Sequence, residues 1–260
     1  MESPTGGRGS CVETLRLAEE IVQYRFPAAP TKHYGFNITA LLDLSNRRTL
    51  LIDTAYEEQA AAVYADLTRC GFALAGVIIS HFHPDHVSGL KALPDCTVYG
   101  SERYEESLCE YAEEERRAFM PTYAVRDGMK LSFGSFELSF RLAPGHAPCS
   151  MHTVVGERFV HVADDIMTSN DGQAILPWAP YEAVRDLIES LQSLERLPPR
   201  TLLLSHGIAL SDPASIRDAV SNRVRYLQAV LSGHGRVSFD TAVAECTCRF
   251  LHEEWHIGKD

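Results

Sequence analysis

The stretch "IISHFHPDHVSGL", residues 78–90, places four potential metal ligands at the end of an apolar run: His81, His83, Asp85 and His86. Each of these side chains is costly to bury without a partner. Imidazole nitrogens and carboxylate oxygens are ligands of Zn²⁺, Fe and Mn²⁺. The crowding therefore predicts a metal site in the loop that follows a strand.

The spacing within this stretch indicates more than one ion. His81 and His83 stand two residues apart, so both can project the same way from an extended segment and bind one ion. Asp85 and His86 follow Pro84, where the chain turns, and can face a second ion nearby. Four ligands cannot complete two coordination shells. We therefore expect further ligands at the ends of other strands.

Three later segments supply such candidates. His146 lies in "LAPGHAPCS", Asp164 and Asp165 end the apolar run of "FVHVADDIM", and His206 ends "LLLSHG". Each lies where a predicted strand meets a loop. Such boundaries commonly carry ligands and catalytic groups in open α/β sheets.

Strands and helices alternate along the chain, with hairpins inserted between them. This alternation predicts an α/β protein with two sheets sandwiched between helices. A hairpin is indicated where two apolar runs flank a turn, or where apolar and polar residues alternate on both sides of a Gly-Ser or Gly-Glu turn. The predicted hairpins cover residues 38–52, 129–143 and 151–164. Single helices are predicted over residues 102–119 and 240–255.

Composition limits the classes of function. The chain has 260 residues, a formal charge of −11 and four lysines, which argues against a nucleic-acid partner. No apolar run approaches the length of a membrane span, and the polar N-terminus does not resemble a signal peptide. The seven cysteines include no C-x-x-C pair, which favours a reducing compartment. We expect a cytoplasmic protein with a small-molecule substrate and no membrane partner; a homodimer stays open.

Taken in chain order, these motifs resemble the metallo-β-lactamase superfamily. The resemblance rests on H-F-H-P-D-H at 81–86, G-H at 145–146, A-D at 163–164 and S-H-G at 205–207. "LLIDTA" at 50–55 resembles the family's strand that ends in an aspartate. The resemblance implies an αββα sandwich of two mixed sheets flanked by helices. It also implies a disordered tail over 1–15, a catalytic domain over 16–208 and a C-terminal helical extension over 209–260 packed on that domain.

The resemblance further implies seven ligands for two metal ions. One ion would bind His81, His83 and His146, and the other would bind Asp85, His86 and His206. Asp164 would bridge the two ions; it is preferred to Asp165 because the family's Gly-Asp step matches Ala163-Asp164. Asp53 would orient one of the ligands.

The activity implied is that of a dinuclear metal-dependent hydrolase of the glyoxalase II-like branch. A hydroxide bridging two divalent ions, zinc first and Fe or Mn as alternatives, would attack an ester, thioester or lactone carbonyl of a small molecule. Asp85 would orient the nucleophile and pass a proton to the leaving group. A His at position 83 favours hydrolysis, since oxygen-reducing diiron members carry Glu there.

Several alternatives share this ligand set. They are an acyl-homoserine lactonase, a metal-dependent nuclease or phosphodiesterase, a mononuclear iron enzyme resembling persulfide dioxygenases, and a metal-binding protein without activity. A β-lactamase is disfavoured, because that branch usually has a Cys where this chain has Asp164. For glutathione, Arg223 and Arg225 are the nearby basic candidates after His206. Ile166, Met167 and Trp178 are expected to border the substrate pocket.

Overall fold

The computed structural model describes residues 12–28, 32–197 and 200–257. Seven strands form the first sheet, and they are ordered in it as they are in the chain. They are β1 (Glu13–Ala18), β2 (Ile21–Arg25), β3 (Asn37–Asp43), β4 (Arg48–Ile52), β5 (Ala73–Ile78), β6 (Thr97–Ser101) and β7 (Tyr123–Val125). Strands β1 to β4 pair antiparallel, whereas β4 to β7 pair parallel.

Five strands form the second sheet, in the order β12-β11-β10-β9-β8. They are β8 (Lys130–Phe133), β9 (Phe136–Leu142), β10 (Met151–Val155), β11 (Phe159–His161) and β12 (Thr201–Leu203). Strands β8 to β11 pair antiparallel, and β12 adds parallel to β11. Both sheets are therefore mixed, as predicted.

Seven α-helices connect and flank the sheets in the described part of the chain. They are α1 (Glu57–Arg69), α2 (Pro84–Val87), α3 (Glu105–Leu108), α4 (Glu113–Phe119), α5 (Val184–Glu195), α6 (Pro213–Ser232) and α7 (Phe239–Ala242). Short 3₁₀ helices cover Ser88–Ala92, Tyr181–Ala183 and Glu253–Trp255. Across the described ranges, none of the helices combines the length and apolarity that crossing a membrane requires.

The apolar core is layered around the two sheets. Side chains such as Leu41, Ile78 and Phe140 fill the space between the sheets. A second cluster covers the outer face of the first sheet, with Val63 and Leu67 from α1. A third cluster joins the second sheet to α5 and α6. Burial on both faces explains why strands such as β3 and β5 read as continuous apolar runs.

The hairpin predicted over 38–52 is formed by β3 and β4. The Asp43 carboxylate closes its turn by accepting hydrogen bonds from the Asn46 backbone N–H at 3.1 Å and from Arg48 Nη2 at 3.0 Å. Such aspartate-centred bonds favour turns over continued strand. The other two predicted hairpins are also present, as β8–β9 and β10–β11.

The predicted tail over 1–15 is wrong at its C-terminal end, because β1 begins at Glu13 and pairs with β2. The pairing satisfies the backbone polar groups of residues 13–15, and Glu13 forms an ion pair with Arg25. Residues 1–11 lie outside the described residues.

Two predicted helices are also shorter than expected. The helix over 102–119 is interrupted between α3 and α4, where Tyr111 turns inward and its hydroxyl donates to the Phe82 carbonyl at 2.8 Å. The helix over 240–255 ends at Ala242, and Asn222 of α6 binds the Thr247 backbone N–H at 2.6 Å. In both places a tertiary hydrogen bond outweighs helix propensity, which is worth under about 1 kcal/mol per residue.

Candidate metal centre

The predicted site residues meet at one edge of the sandwich. Asp53 follows β4, the 81–86 stretch follows β5, His146 lies between β9 and β10, Asp164 follows β11, and His206 follows β12. His81, His86 and His206 are almost completely buried, whereas Asp85 keeps 20% of its side chain exposed. The parallel pairings β4–β5 and β11–β12 bring these strand ends together.

The first group of candidate ligands consists of His81, His83 and His146. His83 Nδ1 lies 3.0 Å from His81 Nε2 and 3.0 Å from His146 Nε2. Zn–N bonds of about 2.0–2.1 Å in tetrahedral geometry separate two ligand nitrogens by about 3.3 Å. The three nitrogens are therefore spaced as ligands of one ion.

The second group consists of Asp85, His86 and His206. His86 Nε2 lies 3.7 Å from Asp85 Oδ1, and His206 Nε2 lies 3.6 Å from Asp85 Oδ2. The ligand atoms of this group lie within 4.8 Å of one another. The two groups are the ones that the sequence motifs implied.

Asp164 lies between the two groups. Its Oδ2 is 3.4 Å from Nε2 of both His86 and His206, 3.5 Å from His146 Nε2 and 3.9 Å from His81 Nε2. The neighbouring Asp165 points away, and its Oδ2 contacts His152 Nε2 at 2.8 Å. The structure thus gives the central position to Asp164, whereas Asp165 makes a buried hydrogen bond away from the centre.

The backbone around Asp164 is strained. Ala163 has a φ of +50°, a left-handed conformation that costs a residue other than Gly about 1–2 kcal/mol. A glycine would adopt this conformation without that cost. Gly207, after His206, has a φ of +87°, and a Cβ there would lie 2.1 Å from Thr168 Oγ1. The close approach of these two loops seats His206 beside Asp164.

Four histidines are oriented by hydrogen bonds to the ring nitrogen that faces away from the centre. Such bonds hold a ligand's tautomer and ring plane. The pairs are His86 Nδ1 with Asp53 Oδ2 at 2.9 Å, His206 Nδ1 with the Gly35 carbonyl at 2.9 Å, His146 Nδ1 with the Trp178 carbonyl at 3.1 Å, and His81 Nδ1 with Ser80 Oγ at 3.2 Å. Each histidine therefore presents Nε2 to the centre.

Asp53 is the most heavily bonded of these partners. Its carboxylate accepts from the Ser80 backbone N–H and hydroxyl, both at 2.8 Å, and from the Ser205 hydroxyl at 3.2 Å, besides His86. Burial alone would raise the pKa of the Asp53 carboxyl, but His86 and the other donors outweigh it and lower the pKa. Asp53 is thus an ionised partner for His86, in line with the predicted orienting role.

Asp53→Asn is expected to weaken metal binding about 10–100-fold, because a neutral amide orients and polarises His86 less well. Isothermal titration with Zn²⁺ measures the change. Asp43→Asn is the matched control, since Asp43 lies at the far end of β3 and binds only the hairpin turn. Equal Zn²⁺ affinities for Asp53→Asn and the wild type would exclude this role.

The residues present fit a bound cation. His86 Nε2, His206 Nε2 and Asp164 Oδ1 are buried and have no hydrogen-bond partner within the described ranges. An unsatisfied buried polar atom costs about 1–3 kcal/mol. Nitrogen and carboxylate ligands at this spacing would satisfy these atoms by binding Zn, Fe or Mn.

The protonation of the two groups differs. Burial, reinforced by the other histidines, lowers the pKa of His83 to about 4 and holds the pKa of His81 well below its ordinary value. Burial would also lower the pKa of His86 and His206, but Asp164 and Asp85 outweigh it and raise both pKa values. The protons that the carboxylates stabilise on His86 and His206 are the ones that a cation would displace.

A cleft of about 250 Å³ opens beside the centre. We call it the aromatic cleft, defined by Tyr34, Met167, Trp178 and Trp255, and it reaches the candidate ligands His83, Asp85, His146 and Asp164. The sequence predicted Met167 and Trp178 here but missed Tyr34 and Trp255. No local motif marks either residue, because both reach the cleft through long-range packing. Ile166, also predicted at the pocket, is fully buried in the core.

A larger cavity of about 440 Å³ lies elsewhere, between β11, β12, α5 and α6. Its lining includes Val160, Leu194 and Ile216, and none of the candidate ligands. The candidate functional site is therefore the smaller aromatic cleft, because the candidate ligands line it, and not this larger cavity.

Arg223 of α6 is almost completely buried and does not face the cleft. Its Nη2 donates to the carbonyls of Met167 at 2.5 Å and Ile175 at 3.1 Å, and its Nη1 donates to the Ala219 carbonyl at 2.9 Å. The structure therefore excludes Arg223 as a residue that binds glutathione directly. Instead it ties the loop that carries Met167 to the C-terminal extension.

Arg223→Ala is expected to destabilise the protein by about 3 kcal/mol, because two carbonyls of the 167–175 loop lose a buried donor at about 1–3 kcal/mol each. Urea denaturation measures the free energy of unfolding. Arg225→Ala, two residues along and exposed, is the matched control and should change stability by less than about 0.5 kcal/mol. Equal stabilities of the two variants would contradict this role.

The chain matches one protein family and resembles several known sequences. Residues 37–206 match the sequence profile of the Metallo-beta-lactamase superfamily. A hydroxyacylglutathione hydrolase from Ruegeria pomeroyi is 28% identical over 166 residues, which cover 63% of this chain and 58% of the relative. A second hydroxyacylglutathione hydrolase, from Fuscovulum blasticum, is 26% identical over 170 residues, which cover 64% of this chain and 59% of the relative. The protein YobT of Bacillus subtilis is 26% identical over 211 residues, covering 71% and 90%. The chain thus spans under two thirds of the length of the two hydrolases.

Solved structures share the fold at low identity. A metallo-beta-lactamase from Pontibacter korlensis superposes with a TM-score of 0.68 at 16% identity, over 84% of this chain and 99% of that one. A metallo-beta-lactamase family protein from Thermus thermophilus gives 0.65 at 20% identity, over 84% and 82%. A flavoprotein from Thermotoga maritima gives 0.64 at 16% identity, over 85% and 63%. These likenesses confirm the predicted αββα sandwich.

Proposed function

Because the chain belongs to the metallo-beta-lactamase superfamily, we propose that its centre binds two divalent cations and hydrolyses an ester, thioester or lactone of a small molecule. One observation carries the proposal: Asp164 Oδ2 lies within 3.9 Å of four histidine nitrogens that belong to two separate ligand groups. A carboxylate in that position is suited to bridge two ions. The exposed part of Asp85 and the adjoining aromatic cleft leave room for a substrate.

The ligand groups are proposed to divide as the geometry suggests. His81, His83 and His146 offer three neutral nitrogens, which suits Zn²⁺. Asp85, His86 and His206 offer a carboxylate and two nitrogens, and Asp164 completes both sets. When bound, the cations supply a water of lowered pKa as nucleophile and a positive charge that stabilises the carbonyl oxygen.

Asp85 is proposed to act as a proton carrier. It lines the cleft with 20% of its side chain exposed, and both of its oxygens lie 3.6–3.7 Å from histidine nitrogens of the second group. One oxygen would bind the cation, while the other would orient the attacking water, accept a proton from it and pass that proton to the leaving thiolate or alkoxide. Neighbouring Tyr34 and His83 limit the directions from which a carbonyl can approach.

A thioester is proposed as the first substrate class. The support is the group of relatives named hydroxyacylglutathione hydrolase, matched at 22–28% identity. The His at position 83 favours hydrolysis over the oxygen chemistry of diiron relatives. Glutathione itself is less well supported, because Arg223 is buried against backbone carbonyls.

Metal analysis coupled to a substrate panel tests the proposal. The chain is reconstituted with Zn²⁺, Fe²⁺ or Mn²⁺ and assayed with thioesters, an acyl-homoserine lactone, a phosphodiester and a persulfide. We expect two equivalents of metal and turnover of the thioester or lactone, lost on chelation and restored by metal. One equivalent of iron with persulfide oxidation, or activity on the phosphodiester alone, would overturn it.

A further inference from the structure

We propose that the aromatic cleft binds an uncharged, apolar acyl group of the substrate, and that Trp255 of the C-terminal extension determines this specificity. The inference rests on the proposed hydrolase function and adds its substrate class. The cleft adjoins both ligand groups, through His83 and His146 of the first and Asp85 of the second. An acyl group held there would place its carbonyl beside the centre.

The chemistry of the lining selects an apolar group. Three aromatic rings and a thioether form the walls, and the polar lining consists of the candidate ligands. Within the described ranges, no lysine or arginine lines the cleft. Lys32 is exposed and outside the lining, with its Nζ 5.2 Å from the Tyr34 ring centroid. An anionic acyl group would therefore lose its hydration without gaining a direct partner.

Trp255 is held rigidly in this wall. Its ring stacks on His252 at 4.3 Å with an interplanar angle of 18°, and its centroid lies 6.0 Å from that of Tyr34. The next residues are tied to α6, since Tyr226 Oη bonds His256 Nδ1 and the Ile257 backbone N–H, both at 3.0 Å. A wall fixed before binding loses little conformational freedom when the substrate arrives.

A second part of the cleft wall is fixed to the same helix. Arg223 of α6 binds the Met167 carbonyl, and Met167 packs with Tyr34 and Ile175 in a small buried cluster. Trp178 stands at the mouth with 42% of its surface exposed. Helix α6 therefore holds two residues of the cleft wall, Met167 and Trp255, which gives the extension a direct part in substrate choice.

The volume limits the size of the group. A cavity of about 250 Å³ equals about eight water molecules at ~30 Å³ each, and is smaller than the 300–1,000 Å³ typical of drug-sized ligands. It suits a six-carbon chain or a phenyl group. A second cleft of about 380 Å³, lined by Glu110, Tyr111 and Pro148, shares His83 and His146 with the first. This larger cleft leaves room for the leaving group.

Kinetics on a series of acyl chains tests the inference. The substrates are acetyl, butanoyl, hexanoyl and decanoyl thioesters of N-acetylcysteamine, an uncharged thiol, with an adipoyl thioester as the carboxylate-tipped equivalent of hexanoyl. We expect kcat/KM to rise up to about fourfold per methylene through hexanoyl, as burial of about 0.8 kcal/mol per CH₂ implies, and then to level off. A flat series, or a preference for adipoyl, would overturn the inference.

Variants assign the effect to Trp255. Trp255→Ala should lower the hexanoyl-to-acetyl ratio of kcat/KM about tenfold, and Trp255→Phe should restore most of it. Met120→Ala, which removes an exposed apolar side chain far from the cleft, is the matched control and should leave the ratio unchanged. If Trp255→Ala does not fold, Trp178→Ala at the exposed mouth tests the same wall. An unchanged ratio in both variants would contradict the proposal.

Fluorescence separates this inference from the proposed function. The chain has two tryptophans, and both line the aromatic cleft, but Trp178 also lines the second cleft. The measurement therefore uses the Trp178→Phe variant, in which the emission of Trp255 alone reports occupancy of the aromatic cleft. The amide analogue of the hexanoyl substrate should produce a saturable change in emission at concentrations where the acetyl analogue produces none. Saturable binding without thioester hydrolysis would overturn the proposed hydrolase function but support acyl binding in the aromatic cleft. Hydrolysis with equal responses to the two amides would support the hydrolase function but overturn the proposed acyl specificity.

Discussion

Replacing Asp164 by alanine is expected to lower kcat/KM for the best substrate by roughly 10³-fold or more, the scale seen when a key electrostatic group is removed from an active site. The reason is position: Asp164 Oδ2 contacts nitrogens of both ligand groups, at 3.4 Å in the case of His86 and His206. No other carboxylate in the described ranges occupies that place. Without it, each of the two proposed ions would lose a ligand, and the charge between them would be uncompensated.

Metal content and activity of Asp164→Ala are measured together, by mass spectrometry and by the thioester assay. Asp171→Ala is the matched control, because Asp171 is exposed and lies seven residues along the same loop. We expect the control to keep its metal and its activity. Two equivalents of metal with wild-type activity in Asp164→Ala would remove Asp164 from the centre and the observation that carries the proposal.

Replacing His83 by alanine is expected to reduce the bound metal from two equivalents to one and to lower kcat/KM about 10²–10³-fold. His83 Nδ1 lies 3.0 Å from the nitrogens of both His81 and His146, so its loss opens the first group while Asp85, His86 and His206 remain complete. The prediction therefore separates a dinuclear centre from a mononuclear one. A mononuclear centre would lose its metal altogether or keep it unchanged.

The reciprocal variant makes this test sharper. His206→Ala should also retain one equivalent, now at the first group, and its metal should differ in spectroscopic signature when Co²⁺ replaces Zn²⁺. His234→Ala, an exposed histidine outside both groups, serves as the control. Identical Co²⁺ spectra for His83→Ala and His206→Ala would mean that the two groups do not form separate sites.

Much of the fold could be predicted from local patterns. The hairpins at β3–β4 and β8–β9 follow from alternation and from turn residues that lie next to each other in the chain. Candidate ligands could be named because metal-binding chemistry is confined to a few residue types, and H-F-H-P-D-H crowds four of them into six positions. These features depend on near neighbours, so a single sequence contains them.

The failures have a common cause. The helix predicted over 102–119 is interrupted where Tyr111 reaches Phe82, and the last predicted helix ends where Asn222 binds Thr247. Arg223 is a candidate for glutathione binding by its sequence position, but in the structure it is buried against backbone carbonyls. In each case the partner lies at least 25 residues away in the chain, and helix periodicity contains no information about it.

The sequence by itself determined the chemistry of this protein: a two-sheet α/β sandwich with nitrogen and carboxylate ligands at its strand ends. Tertiary structure decided that Asp165 turns away to His152, and that Tyr34 and Trp255, from opposite ends of the described chain, pack edge to face in the wall of one cleft. The physical reason is that a ligand's identity lies in its own side chain. The direction in which that side chain points, and the walls around it, are set by packing between distant segments.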